Sequence, residues 1–205
     1  MSKTTIGSYN AHVPEYVAKT PKEVSGNVKI WVDASLGYLA VDAEILEIGS
    51  ASGRDADYIE SRGYKVTRSD AAISFVELLR RQGHPDTRLL NAITDDLGGP
   101  YDMIFADAVL LHFTEAETAT FLGKVRSSLK PTGIFSFRLK RGDGSEWTNE
   151  GLNAPRFFQY WQPDTLEELL RIKEFDVLSL EDKQSTFNPY SWLQVIARPT
   201  SEASS

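Results

Sequence analysis

From residue 44 onward the apolar positions switch between a short-run pattern and a helical one, with Gly or Pro at most of the changes. EILEIG (Glu44 to Gly49) is a brief apolar run entering a turn, which predicts a first strand. A helix over Arg54 to Arg62, stopped by Gly63, separates it from the next strand, KVTRSD (Lys65 to Asp70). Over Ala71 to Gln82 the spacing puts Ala72, Phe75, Val76 and Leu79 at i, i+3, i+4 and i+7, an apolar stripe that has to lie on a sheet before Gly83 ends it. Strands follow at Arg88 to Ala92 and Tyr101 to Asp107. Thr114 and Glu117 have the capping-box spacing and start a helix running to Lys130. The Pro131–Gly133 turn feeds the strand GIFSFRLK, and a long polar loop spans Arg141 to about Ala154. A last helix (Asp164 to Ile172) and strands at Phe175 to Glu181 and Trp192 to Arg198 close the chain. The residues before 44 predict one or two helices, with Ile30, Trp31, Leu36 and Leu39 as core positions. Strands alternating with helices make this an α/β chain with a parallel sheet covered on both faces.

At 205 residues and 41% hydrophobic, the chain is expected to form a single domain over 1–205. Its parts are a helical N-terminal segment (1–43), a core (44–140), a candidate lid (141–161), a C-terminal helix with strands (162–199) and a disordered tail (200–205). Cys is absent and His occurs three times, which removes disulfides, thiol nucleophiles and iron–sulfur clusters and leaves no metal site expected. A net charge of −7 is the wrong sign for wrapping a phosphate backbone, so nucleic acid is not an expected partner. No stretch approaches the roughly 18 consecutive apolar residues of a spanning helix, and MSKTTIGSYNAHVPEY lacks the apolar run of a secretion signal. The expectation is a soluble, cytoplasmic protein with no membrane partner; its oligomeric state is left open.

In an open α/β sheet ligands bind beyond the carboxyl ends of the strands, so the turn after the first strand is the place for chemistry. It reads Glu47-Ile48-Gly49-Ser50-Ala51-Ser52-Gly53-Arg54-Asp55. Gly49 and Gly53 allow a tight turn and close approach of a ligand to the backbone. The dinucleotide fingerprint wants glycine at 51 and 54, where Ala51 and Arg54 stand, so a pyrophosphate fits poorly. Carboxylates stand out instead: Glu47 before the first glycine, and Asp70 at the end of the second strand. Asp70 can accept two hydrogen bonds from vicinal ribose hydroxyls, and an acidic neighbour suits a ligand with ammonium or sulfonium charge, a description that S-adenosylmethionine fits. The alternative is a plain tight connection with Asp70 as a helix cap.

Longer words of the sequence carry a family resemblance. They are ILEIGSASGRD (Ile45 to Asp55), GYKVTRSDAA (Gly63 to Ala72), YDMIFADAVLLHF (Tyr101 to Phe113), LKPTGIFSFRLKRGDG (Leu129 to Gly144), RFFQYW (Arg156 to Trp161) and WLQVIAR (Trp192 to Arg198). In these the chain resembles the class I S-adenosylmethionine-dependent methyltransferases, within them the small bacterial-type branch with a G-x-G-R-D turn. The resemblance implies a Rossmann-like, seven-stranded, mostly parallel sheet with the last strand antiparallel and helices on both faces. It implies S-adenosyl-L-methionine as cofactor and S-adenosyl-L-homocysteine as product. Gly49, Ser50, Ala51 and Gly53 would border the cofactor, with Glu47 supporting the turn or facing its amino group. Asp70 would hold the ribose, with Ala71 beside it; a side chain or backbone N–H of the Ile93-Thr94-Asp95-Asp96 segment would meet the adenine, Asp95 being chosen over Asp96 with little to separate them; and Ala106 would lie beneath the methyl. Departures from the family are Ser50-Ala51-Ser52 in the turn, Arg68-Ser69 before Asp70, and Glu174 at a usual glycine.

Methyl transfer is an in-line displacement in which alignment supplies most of the rate, so a base is optional. His112 has the right ordinary pKa range for one, with a core-edge histidine as its other reading, and Asp107 competes for the role. Tyr9 and Tyr16 occupy the family's N-terminal aromatic positions, and Trp147 and Tyr160 are candidates for a lid over an apolar acceptor. The expected partner is a small molecule methylated at O, N or S. The rival is a protein of the same fold that binds the cofactor or a partner without transfer.

Overall fold

In the computed structural model, which describes residues 1–185 and 190–201, the strands are β1 (Glu44–Ile48), β2 (Lys65–Asp70), β3 (Arg88–Leu89), β4 (Tyr101–Asp107), β5 (Leu129–Lys140), β6 (Ser145–Thr148), β7 (Arg156–Gln159), β8 (Phe175–Gln184) and β9 (Ser191–Pro199). Seven of them form one sheet in the order β3-β2-β1-β4-β5-β9-β8. β3, β2, β1, β4 and β5 are mutually parallel, and β9, the last strand in the chain, runs antiparallel between β5 and β8. This is the Rossmann-like class I architecture.

The central strands are apolar because both faces are covered. Ile45, Met103 and Phe105 face a cluster with Trp31, Val32 and Leu36 of helix α3 (Gly26–Leu36) and Ile59 of α4 (Arg54–Ser61). The alternate residues Leu46, Ile48, Ile104 and Ala106 face the other side. There they join Phe121, Leu122 and Val125 of α6 (Glu115–Ser128) and Leu166 and Leu170 of α7 (Pro163–Ile172). The α6 capping box forms as its spacing predicts: the Thr114 hydroxyl accepts from Glu117 N at 3.2 Å and the Glu117 carboxylate from Thr114 N at 2.9 Å. α5 (Ile73–Arg81) buries Phe75, Val76 and Leu79, the predicted stripe.

Four expectations are corrected. Three helices precede β1, because α1 (Lys3–Ala11) and α2 (Val13–Lys19) form ahead of α3. Ile30 is 65% exposed, since the inward stripe of α3 runs through Trp31, Val32, Ser35 and Leu36, and Ile30 lies off it. The polar segment after β5 is no loop: β6 pairs antiparallel with β7, Trp147 opposite Phe157. Thr200 is tied down, its N–H donating to the Glu174 carbonyl at 2.8 Å; residues 202–205 of the expected tail lie outside the described residues. No helix among the described residues is long and apolar enough to cross a membrane.

Strand order reverses between β2 and β4, both of which flank β1, so a crevice opens at their carboxyl ends. α1 closes over it. The Ser8 hydroxyl donates to the Pro155 carbonyl at 2.7 Å, and Asn10 Oδ1 accepts from Ser74 N at 3.0 Å, so this helix is fastened to the hairpin on one side and to α5 on the other.

Candidate active site

β1 ends in the glycine turn, and two features fix its shape. Gly49 (φ +75°) lies where an added Cβ would come within 2.5 Å of Val109 Cγ2, and Gly53 (φ +89°) where it would meet Leu79 at 2.8 Å. Ala51 accepts the left-handed region at φ +47° although it carries a Cβ. Its N–H donates to Asp70 Oδ2 at 2.9 Å, while Asp70 Oδ1 accepts from Ala72 N at 2.8 Å. Burial pushes the Asp70 pKa up to about 6, held from going higher by those backbone donors, so the carboxylate is ionised at neutral pH. Each oxygen has a lone pair left for a ligand hydroxyl.

Gly49, Ala51, Asp70 and Ala71 line a cleft of about 560 Å³ including its open mouth, within the size range of small-molecule sites. Tyr9, Tyr16, Phe75, Asn91, Asp107 and His112 complete much of its wall. Asn91, just past β3, went unremarked in the sequence, although the rule that ligands sit at strand carboxyl ends would have found it. Asp95, expected there, lies outside the lining: its carboxylate accepts from Asn91 N at 2.9 Å and from the Thr94 hydroxyl at 2.7 Å, so it holds the Asn91 loop. Ser50, Gly53, Glu47 and Ala106 are buried behind the wall. Ser50 Oγ accepts from Ser69 N at 3.1 Å, and Glu47 Oε2 is buried without a partner among the described residues. None of the four lines the cleft, and of them Ser50 braces the turn through Ser69 N.

A second cleft, of about 840 Å³ with its mouth, shares Tyr9, Tyr16, Ala108 and His112 with the first. Its other walls include Lys140, Arg156, Phe158 and Trp192. Tyr9 stands edge-on to Tyr16 at 5.6 Å and to His112 at 5.4 Å, and Tyr16 packs edge-on to Phe75 at 5.2 Å. His112 Nδ1 is 2.7 Å from the Phe157 carbonyl, which can only accept, so Nδ1 carries the proton. Nε2 is then the bare nitrogen and accepts from the Tyr9 hydroxyl at 2.8 Å. Burial drives the His112 pKa down to about 3, and the ring is neutral at neutral pH.

Asp107 lines the first cleft, but both its oxygens are taken. Arg138 donates to Oδ1 at 2.6 Å and to Oδ2 at 2.9 Å, and Arg54 donates to Oδ2 at 2.9 Å. A carboxylate held by two guanidiniums is a structural hub whose oxygens are already engaged. The two lid candidates also stand elsewhere. Trp147 is 52% exposed and tilts against Phe157 at 5.7 Å, and the Tyr160 hydroxyl donates to Glu146 at 2.5 Å; neither lines a cleft with the site residues. From that hairpin it is Arg156 and Phe158 that reach the second cleft. No group of three or more metal-binding side chains occurs among the described residues.

A family model described as a methyltransferase domain matches residues 9–180. No curated protein matches the sequence. Among solved structures, the chain is similar to the 1,6-didemethyltoxoflavin-N1-methyltransferase of Burkholderia thailandensis with bound 1,6-didemethyltoxoflavin and S-adenosylhomocysteine. The TM-score is 0.73 at 19% identity, covering 98% of this chain and 92% of that one. The CcbJ methyltransferase from Streptomyces caelestis matches at TM-score 0.71 and 17% identity over 98% and 100% of the two chains. The [4+2]-cyclase SpnF matches at TM-score 0.74 and 15% identity over 98% of each. At these identities the likeness is one of fold.

Proposed function

Since the chain belongs to the methyltransferase-domain family, we propose that it is a class I enzyme that uses S-adenosylmethionine to methylate an O, N or S atom of a small molecule. The observation that carries this reading is the pair of clefts meeting at Tyr9, Tyr16, Ala108 and His112. One is walled by the glycine turn and an ionised Asp70, and the other is walled by aromatic and cationic side chains. The residues present fit the cofactor: Asp70 has free lone pairs for ribose hydroxyls, Gly49 leaves the turn open to close approach, and Asn91 offers polar atoms on the far wall.

When bound, the cofactor would supply an electrophilic methyl carbon to the acceptor's lone pair, with sulfur keeping the electron pair of the bond that breaks. The protein's part is alignment, for which effective molarities of roughly 10⁵ to 10⁸ M are available. Tyr9 and Tyr16 form the partition through which the two molecules meet. His112 anchors the Tyr9 hydroxyl through Nε2; a proton reaching that nitrogen would have to pass through Tyr9 and charge a ring that burial keeps neutral. The geometry therefore favours His112 as a positioning residue and an acceptor that arrives already ionised.

Calorimetry with S-adenosylhomocysteine tests the cofactor half. The wild type is expected to bind, and Asp70→Ala to bind at least an order of magnitude more weakly, because a lost charge-assisted acceptor costs about 1.5–3 kcal/mol. Circular dichroism of the variant checks that the fold persists. A wild type that ignores the ligand would overturn the reading. An unchanged dissociation constant in Asp70→Ala would remove Asp70 from the site.

A further inference from the structure

The walls of the second cleft narrow the choice of acceptor, an inference that rests on the methyltransferase reading. Lys140, the last residue of β5, lines this cleft and is 8% exposed. Its Nζ lies 3.5 Å from the centroid of the Tyr190 ring, 4.4 Å from that of Phe158 and 6.0 Å from that of Tyr160. Glu150, which also lines this cleft, accepts from the Tyr190 hydroxyl at 2.5 Å, and Glu146 accepts from the Tyr160 hydroxyl at 2.5 Å; neither is within ion-pair distance of Nζ. Among the described residues Nζ has neither an ion pair nor a hydrogen bond. The ammonium opens onto the cleft with three aromatic rings around it, and ring faces compensate a cation only in part.

A second cation stands beside it. Arg156, 9% exposed, donates through Nη1 to the Tyr9 hydroxyl at 3.1 Å and through Nη2 to the Glu150 carbonyl, and its buried Nε has no partner among the described residues. Its guanidinium lies over the Tyr9 and Phe158 rings at 5.5 and 5.1 Å. The opening thus combines aromatic walls, Phe158 and Trp192, with an ammonium that has no ion pair among the described residues.

We propose that the acceptor is a planar aromatic acid whose ionised oxygen sits on Lys140 while its ring packs against Phe158 and Trp192. The anion supplies the missing partner of the ammonium at the cleft wall. Burial lowers the Lys140 pKa to about 8, with Glu150 and Glu146 opposing and Arg156 adding to the fall, so the side chain is still cationic at neutral pH. An acid that enters ionised needs no base, in keeping with the neutral His112.

The test uses the full chain saturated with S-adenosylhomocysteine and two matched pairs of probes: 2-naphthoate against 2-naphthamide, and 4-nitrophenolate against 4-nitroanisole. Titration followed by NMR is expected to give at least one ionised member about tenfold or more tighter binding than its neutral match, as a charge-assisted contact would. The carboxylate and phenolate arms tell which oxyanion is preferred. Lys140→Met is expected to abolish the difference without lowering the melting temperature, since it removes an unpaired charge and keeps the volume. Lys140→Arg is expected to retain it. Neutral members binding as tightly, no acid binding at all, or an undiminished preference in Lys140→Met would each overturn the proposal. Binding of S-adenosylhomocysteine in the same samples separates the two readings. If it binds and acids are not preferred, only this inference fails; if it does not bind, both fail.

Discussion

Glu47 and Asp70 carry the same functional group a turn apart, and their surroundings send them to different charge states. Asp70 receives backbone N–H groups and stays ionised at neutral pH, whereas burial, reinforced by the charge of Asp55, pushes the Glu47 pKa up to about 8. In the unfolded chain Glu47 titrates near its ordinary 4.5, so between these values the folded state binds the extra proton. Its contribution to stability is therefore fully present below about pH 4.5 and is lost as pH rises through about 8. Glu47→Gln removes that titration. Its melting temperature relative to wild type is expected to climb by several degrees between pH 5 and pH 9 without cofactor. His112, whose lowered pKa makes stability rise with pH between about 3 and 6.5, acts equally in both proteins and cancels from the comparison. A difference that stays flat with pH would show Glu47 to be ionised throughout.

α7 ends at a residue that breaks a local rule. Glu174 sits at φ +59°, the left-handed position after a helix that glycine fills without strain, and its ion pair with Arg126 at 3.2 Å is largely exposed. Glu174→Gly is expected to stabilise the protein by about 1 kcal/mol, a rise of roughly 2–4 °C in Tm by differential scanning calorimetry, because the relieved strain exceeds the worth of a surface pair. A fall would mean that the Arg126 contact dominates. This departure was visible in the sequence because glycine is the usual residue there. The elements with strong periods were equally legible: β2 and β4 run over the residues their patterns predict, and the α6 cap forms on the residues that announce it. The hairpin was not. β6 is four residues long and mostly exposed, too short for alternation to register, and its partner is defined by pairing rather than by propensity. The same gap hid Arg156 and Lys140, which meet only when the hairpin folds beside the end of β5, while the aromatic Trp147 and Tyr160 line neither of these two clefts. Asp95 and Asn91 lie four residues apart, and only the turn between them decides which reaches the cleft.

At the scale of the whole molecule, the two clefts meet at side chains that belong to the walls of both. Tyr9 and Tyr16 come from helices held to α5 and to the hairpin by a few hydrogen bonds, and each ring is a wall for either occupant. If the first molecule to bind orders those rings, the second meets them already fixed and loses less ordering entropy. The two occupancies are then linked thermodynamically. An aromatic acid is expected to bind more tightly when S-adenosylhomocysteine is present, and S-adenosylhomocysteine to gain the same factor from the acid, since coupling free energy has no direction. Titrations in both orders measure that factor twice; independent affinities would mean that Tyr9 and Tyr16 are rigid before either arrives. If the factor is large, an empty protein is a poor receptor for each molecule alone, and the shared partition works as a coincidence detector that registers the pair.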